Sequence, residues 1–132
     1  MDLQGSLKEW QKALRLLDWD IEAKVTQAFE YRCTAVTGDS SQAENDIDSW
    51  HKRSMINISD NAYDQEESLV HELSHLLIDG LDRTVDCLFD ALADGVQKEA
   101  LKSNYERELE IAVCNITRAF IKTRDMAHEV RI

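Results

Sequence analysis

Apolar residues near the start of the chain follow the repeat of an amphipathic helix. They are spaced by four and three residues in alternation, which aligns them on one side of a helix. This stripe consists of Leu3, Leu7, Trp10, Leu14 and Leu17. From Trp19 to Thr26, apolar and polar residues then alternate, a pattern typical of a strand with one buried face. The chain is therefore predicted to begin with a helix over residues 3–17 and a strand over residues 19–26.

Two more strands are predicted before the middle of the chain. The alternation continues at Tyr31, Cys33 and Ala35, which indicates a second short strand. Residues 38–53 are mostly polar and have no apolar anchor before Ile47, so we expect a surface loop there. Residues 54–59 form a short segment that contains β-branched residues and is flanked by polar ones, which predicts a third strand.

The remainder of the chain has the pattern of helices. Asp60, Asn61 and Asp64 are candidates for the N-cap of a helix that we expect to run to about residue 78 and to stop at Gly80. A second amphipathic helix is marked by Leu81, Val85, Leu88, Phe89, Leu92 and Val96. A last one is marked by Tyr105, Leu109, Ala112, Val113, Ile116 and Phe120. A weak break at residues 103–104 leaves open whether these are two helices or one kinked helix. The predicted fold class is α+β, with helices on one face of a small antiparallel three-stranded sheet.

Composition narrows the class of protein. The 132 residues fit one domain over residues 1–132. Lys and Arg number 15 and Asp and Glu number 26, and the resulting net charge of −11 disfavours nucleic acid or an anionic membrane as a partner. There is no apolar run long enough to span a bilayer, so we expect a cytoplasmic protein. The unpatterned cysteines, Cys33, Cys87 and Cys114, are expected to be reduced and buried.

A helical segment with two histidines carries the clearest chemistry. His71 and His75 are four residues apart, so their side chains lie on the same face of the helix, one turn from each other. Two imidazoles in this arrangement can bind one zinc ion, and Glu72 beside them can accept a proton from a water that the metal activates. The alternative is a pair of structural histidines on a core-facing helix. The charge of Glu72 within the otherwise uncharged segment 68–77 argues against that alternative.

A zinc site of this type needs a third protein ligand. No histidine follows His75 before His128, so the third ligand is expected to be a carboxylate on a later helix. Glu106 and Glu110 lie on the flank of the last apolar stripe, and both can face the helix that carries the histidines. The alternative is that both are solvated surface acids.

These segments resemble a known family of enzymes. The segment HELSHLL over residues 71–77, followed by EIAVC over residues 110–114, is similar to the compact gluzincins, and most similar to the small zinc-peptidase-like proteins of phages and prophages. Residues 17–21 and 56–58 resemble the first strand of these proteins and the strand before their metal helix. The resemblance implies a zincin-like fold, zinc as the cofactor, His71, His75 and Glu110 as its ligands, and Glu72 as the general base. A long insertion over residues 80–104 departs from the family pattern.

The function that we expect is hydrolysis of peptide bonds by a zinc-dependent metallopeptidase. Its partner would be a peptide or protein, whose extended backbone could pair with an edge strand at residues 55–59. The alternative is a non-catalytic zinc-binding protein with a zincin fold, which binds a host or phage protein.

Three other residues, Asp79, Tyr105 and His128, are weaker candidates for a role at this site, and His51 is not a candidate. Asp79 could orient a ligand histidine, although a surface acid is the simpler interpretation. His128 or Tyr105 could stabilise an oxyanion. His51 has no partner at metal-ligand spacing.

Overall fold

The computed structural model describes residues 2–27 and 43–130. Its elements, in chain order, are α1 (Leu3–Ala13), β1 (Asp20–Thr26), β2 (Ala43–Asp48), β3 (Arg53–Ser59), α2 (Gln65–Leu77), α3 (Asp79–Asp90) and α4 (Val96–Val130). The α+β class, with a helix at the N-terminus and helices after the sheet, is confirmed. The strand predicted at Tyr31, Cys33 and Ala35 lies outside the described residues.

The sheet is mixed, so the prediction of an antiparallel sheet is wrong. Its strand order is β1-β3-β2, with β1 parallel and β2 antiparallel to β3. A short turn joins β2 to β3 and forces these two strands to run in opposite directions. β1 lies on the other side of β3 and runs in the same direction as it. β3 is therefore central, and the prediction that residues 55–59 form an edge strand is also wrong.

β2 lies within the segment that was predicted to be a loop. Its side chains alternate between half-buried positions at Ala43, Asn45 and Ile47 and exposed positions at Glu44, Asp46 and Asp48. Burial alternates with a period of two along this strand, but one of the inward-facing residues is an asparagine. Because the segment is mostly polar, the sequence pattern did not predict a strand there.

The core lies between one face of the sheet and the first two helices. It consists mainly of Leu7, Trp10, Leu14, Leu16, Trp19, Ala23, Ile56, Ile58, Leu69, Val70, Leu73 and Leu76. α1 ends at Ala13, earlier than predicted, because Arg15 adopts a left-handed conformation with φ of 59°. Leu17 consequently leaves the apolar stripe and is 68% exposed.

The helix boundaries differ from the prediction in three places. α2 ends at Leu77, and Gly80 is inside α3 rather than at a helix stop. The chain breaks again over residues 91–95, so Val96 begins α4. α4 then continues for 35 residues without a break at residues 103–104. Within the described ranges, no helix is both long and apolar enough to cross a membrane.

The distal half of α4 is fastened to the N-terminal part of the molecule. Arg124 forms an ion pair with Glu66 in the first turn of α2, and its guanidinium lies 5.3 Å from the ring centre of Trp10 in α1. Ser6 of α1 donates a hydrogen bond to the same Glu66 carboxylate over 3.0 Å. These contacts fix the direction in which α4 crosses α2.

Candidate metal centre

The position of the two histidines is fixed by the N-cap and the buried side of α2. The Asp64 side chain caps the helix by accepting a 3.0 Å hydrogen bond from the backbone N–H of Glu67. One side of α2 is anchored in the core, so the helix cannot rotate without exposing apolar residues. His71 and His75 are both half-buried beside this anchored side, with their ring centres 5.1 Å apart.

α4 brings a carboxylate to both histidines. Oε2 of Glu110 lies 3.2 Å from Nε2 of His71, and Oε1 lies 2.9 Å from Nε2 of His75. Val113, one turn after Glu110, is fully buried between the helices. Thr117 follows at the next turn, and its hydroxyl lies 3.5 Å from that of Ser74. Small residues at this contact let α2 and α4 approach closely.

Glu106 and Glu110, which the helical pattern gave as alternative third ligands, differ in their surroundings. Glu110 is half-buried and faces the histidines, whereas Glu106, one turn earlier, is exposed. Hydrogen bonds from His71 and His75 hold the pKa of Glu110 well below its usual value. Burial by itself disfavours protonated His75, but the bond to Glu110 and nearby carboxylate charges outweigh burial and raise the pKa of His75.

Two of the separations among these side chains are close to those between ligands of a zinc ion. Ligand atoms about 2.0–2.1 Å from a tetrahedral zinc are about 3.3 Å from one another, close to the observed separations of 2.9 and 3.2 Å between the histidine nitrogens and Glu110. Two imidazoles and one carboxylate also form a ligand set that zinc prefers when a fourth position is kept for water or substrate.

A compact group of potential metal ligands contains Cys114 in place of His75. One such atom from each of His71, Glu110 and Cys114 lies within 4.8 Å of the others. The Cys114 sulfur, however, is 3.9 Å from Nδ1 of His71, whereas Glu110 contacts Nε2 of the same ring. Ring lone pairs at Nδ1 and Nε2 point in different directions, so one ion cannot use both. His75 is not part of this group, although its Nε2 atom faces the same Glu110 carboxylate as Nε2 of His71 does.

Glu72 lies beside this cluster but does not belong to it. Its side chain is buried, and burial raises the pKa of its carboxyl group, an effect that the charges of His75 and His71 partly offset. The Asn45 side chain of β2 donates a 3.1 Å hydrogen bond to the backbone oxygen of Glu72 and accepts one from Ser54. Asn45 thus connects β2 to the helix that carries Glu72.

Sequence reasoning missed Asn45 because its segment was interpreted as a loop. The detectable signal was the period of two over residues 43–48, but three of these six residues are acidic, which weakens a strand prediction.

The other predicted residues lie away from the ligand atoms or are engaged elsewhere. Asp79 is buried, not a surface acid, and it accepts hydrogen bonds from Ser49 and Arg83 at 2.9 and 3.1 Å. The Tyr105 hydroxyl donates to Asp82 over 2.8 Å, and burial together with this bond raises the pKa of Tyr105 to about 12.

The two isolated histidines and the cysteines also have defined positions. His51 is exposed and bonded to Asp48 at 2.8 Å. His128 is exposed and lies roughly 27 Å along α4 from Glu110, at ~1.5 Å per residue. Cys114 is half-buried, but Cys87 is exposed, contrary to the prediction of a buried position, and Cys33 lies outside the described residues.

The chain was compared with protein-family models, with curated proteins and with solved structures, and none of them matches it. Assignment of a function therefore depends on the chemistry of His71, Glu72, His75 and Glu110.

Proposed function

We propose that this protein is a zinc-dependent metallopeptidase in which His71, His75 and Glu110 bind the metal and Glu72 is the general base. One observation carries the proposal: the Nε2 atoms of both histidines face the same Glu110 carboxylate at 3.2 and 2.9 Å. A buried carboxyl group, that of Glu72, is close enough to both histidines for their charges to lower its pKa. A purely structural histidine pair would explain Glu110 as a hydrogen-bond partner, but it would not explain the second, buried carboxyl group of Glu72.

The reaction needs one chemical contribution from the metal and one from the protein. Zinc, when bound, polarises a carbonyl group and lowers the pKa of a water molecule toward ~7. Glu72 accepts a proton from the attacking water as the oxygen of that water adds to the scissile carbonyl carbon. Glu72 then gives this proton to the nitrogen of the leaving amine, so that the C–N bond breaks and a carboxylic acid and an amine are formed.

The substrate is proposed to be a peptide or protein that binds beside Glu72. Residues 55–59 cannot accept it by strand pairing, because β3 is paired on both sides. The Asn45 hydrogen bond to the backbone of Glu72 supports a role for β2 next to the general base.

The proposal is tested by replacing Glu72 with glutamine, which keeps the shape of the side chain but cannot accept the proton. General-base catalysis contributes ~10²–10⁴-fold, so hydrolysis of a peptide library should fall by at least about a hundredfold. Zinc content, measured by elemental analysis, should be unchanged because Glu72 is not a ligand.

Glu108→Gln is a matched control on α4, where Glu108 is exposed and lies on the opposite side of the helix from Glu110. It should retain both zinc and activity. Full hydrolysis by the Glu72→Gln variant would contradict the assigned mechanism. A zinc-loaded wild-type protein that hydrolyses no member of the library would contradict the assignment as a peptidase and favour a zinc-stabilised binding protein.

A further inference from the structure

The imidazole of His71 is contacted at both of its nitrogens by residues of α4. Oε2 of Glu110 lies 3.2 Å from Nε2, and the sulfur of Cys114 lies 3.9 Å from Nδ1. Glu110 and Cys114 are four residues apart, so their side chains project from the same face of α4, one turn from each other. One face of one helix therefore contacts two sides of the ring.

The antiparallel crossing of α2 and α4 accounts for the position of the cysteine. Arg124 in the distal half of α4 contacts Glu66 in the first turn of α2. Glu110, earlier in α4, contacts His75 in the last turn of α2. The position one turn after Glu110 on α4 is therefore level with the position one turn before His75 on α2. The half-buried Cys114 occupies that position on α4.

A thiol can form a hydrogen bond with an imidazole in either direction, because its S–H is a weak donor and its sulfur a weak acceptor. While Nε2 of a neutral His71 ring donates to Glu110, Nδ1 carries a lone pair to which the Cys114 thiol can donate. When Nε2 binds a metal, the proton of the neutral ring is on Nδ1, and this N–H can donate to the sulfur. Cys114 can therefore hold the same ring orientation with and without a metal.

We infer that Cys114 is a positioning residue, which holds the imidazole of His71 so that Nε2 points to the metal. This role rests on the proposed function, in which His71 is a zinc ligand. Histidines that bind a metal almost always donate their second ring N–H to a carboxylate, a backbone carbonyl or water, which fixes the tautomer and the orientation of the ring. The contact of Cys114 with Nδ1, the nitrogen opposite the Glu110 side, puts a thiol in that place.

The first test measures zinc affinity by competition with a chelator in the wild type, Cys114→Ala and Cys114→Ser. Loss of a partner that orients a ligand histidine typically costs ~10–100-fold in metal affinity. Because a thiol is a weak partner, Cys114→Ala should lose about tenfold. Serine can also donate and accept, so Cys114→Ser should bind zinc more tightly than Cys114→Ala does. Cys87→Ala removes the exposed cysteine of α3 and should keep the affinity of the wild type.

The comparison of serine with alanine separates orientation of the ring from packing. Both substitutions remove the sulfur and its packing contacts, but serine keeps a group that can form a hydrogen bond with Nδ1. Equal weakening in Cys114→Ala and Cys114→Ser would therefore overturn the inference, as would wild-type affinity in Cys114→Ala. Circular dichroism verifies that the variants are folded.

The second test needs only the wild-type protein, loaded with cobalt(II) in place of zinc or with zinc after labelling of its histidines with nitrogen-15. A thiolate bound to cobalt(II) gives intense charge-transfer absorption in the near ultraviolet, which imidazole and carboxylate ligands do not give. We expect no such band. In nuclear magnetic resonance spectra of the zinc-loaded protein, we expect a proton on Nδ1 of His71 that exchanges slowly with solvent.

The possible outcomes separate this role from the zinc site itself. An intense charge-transfer band would make Cys114 a ligand and overturn its role as a positioning residue, as would a proton on Nε2 of His71 in the zinc-loaded protein. A wild type that binds neither zinc nor cobalt(II) would contradict the proposed zinc site and this inference with it. Tight zinc binding that is unchanged in Cys114→Ala would overturn the inference alone.

Discussion

Removal of zinc should lower the melting temperature of the protein substantially, because the proposed ligands come from two different helices. His71 and His75 lie on α2 and Glu110 lies on α4. An ion bound only by the folded chain stabilises it by RT ln(1 + [Zn]/Kd), which is about 4 kcal/mol at a ~1,000-fold excess over Kd. In the described chain, Val113 and Thr117 are the fully buried residues of α4. Few apolar contacts therefore hold α4 against α2 when the ion is removed.

This free energy can be converted into a temperature shift. At ~2.1 cal/mol/K per residue, a chain of 132 residues has an unfolding entropy of about 0.28 kcal/mol/K near its midpoint. A stabilisation of about 4 kcal/mol therefore corresponds to a shift of about 15 °C. Each further tenfold rise in free zinc adds ~1.4 kcal/mol, or about 5 °C.

The assay is a series of thermal melts, followed by circular dichroism, of metal-free protein at increasing buffered free zinc. The wild-type midpoint should stay constant below Kd and then rise linearly with the logarithm of zinc concentration. His71→Ala should show little or no rise over the same range, because two remaining ligands hold zinc poorly. An equal rise in wild type and His71→Ala, or no rise in either, would refute the reasoning that zinc links α2 to α4 at this cluster.

Two substitutions test the packing around the site. Val113→Ala removes two buried methyl groups and leaves a cavity between α2 and α4. The free energy of unfolding in urea titrations should fall by roughly 2–3 kcal/mol, and zinc binding should weaken. Unchanged zinc affinity would mean that Val113 does not position Glu110. Asn45→Ala removes the hydrogen bond to the backbone oxygen of Glu72. It should reduce kcat and lower the free energy of unfolding by about 1–3 kcal/mol, while zinc content stays constant. Loss of zinc would contradict the placement of Asn45 beside the general base.

The helices were largely predictable because their apolar residues report the buried side directly. Leu7 and Trp10 in α1, and Leu69 and Leu73 in α2, follow helical spacing and are buried. The boundaries were less predictable, because they depend on single backbone angles. Arg15 has a positive φ, which residue type alone does not indicate.

The sheet topology could not be derived from the sequence pattern. Alternation predicts that β1 and β3 each have a buried face, but it contains no information on their relative direction. The parallel pairing of Ala23 with Ile56 and of Val25 with Ile58 depends on how the whole chain is connected. β2 was hidden because its exposed positions are acidic and its inward positions include Asn45.

The candidate site was more predictable than the sheet, because its spacing is local. The one-turn separation of His71 and His75 follows from helix geometry alone. The approach of Glu110 required the packing of α4 on α2, since Glu106 has the same residue type and a nearly equivalent helical position. The contact of Asn45 with Glu72 joins residues 27 positions apart, and no periodic signal indicates it.

The most direct measurement of the central claim is the zinc affinity of Glu110→Ala and Glu106→Ala, determined side by side by competition with a chelator. The two variants each remove one glutamate, and the two positions are about one helical turn apart on α4. They differ mainly in that Glu110 faces the histidines and Glu106 does not. We predict that Glu110→Ala loses most of its zinc affinity and that Glu106→Ala keeps the affinity of the wild type. Equal affinities in the two variants, or a greater loss in Glu106→Ala, would contradict the proposal that His71, His75 and Glu110 form the metal site.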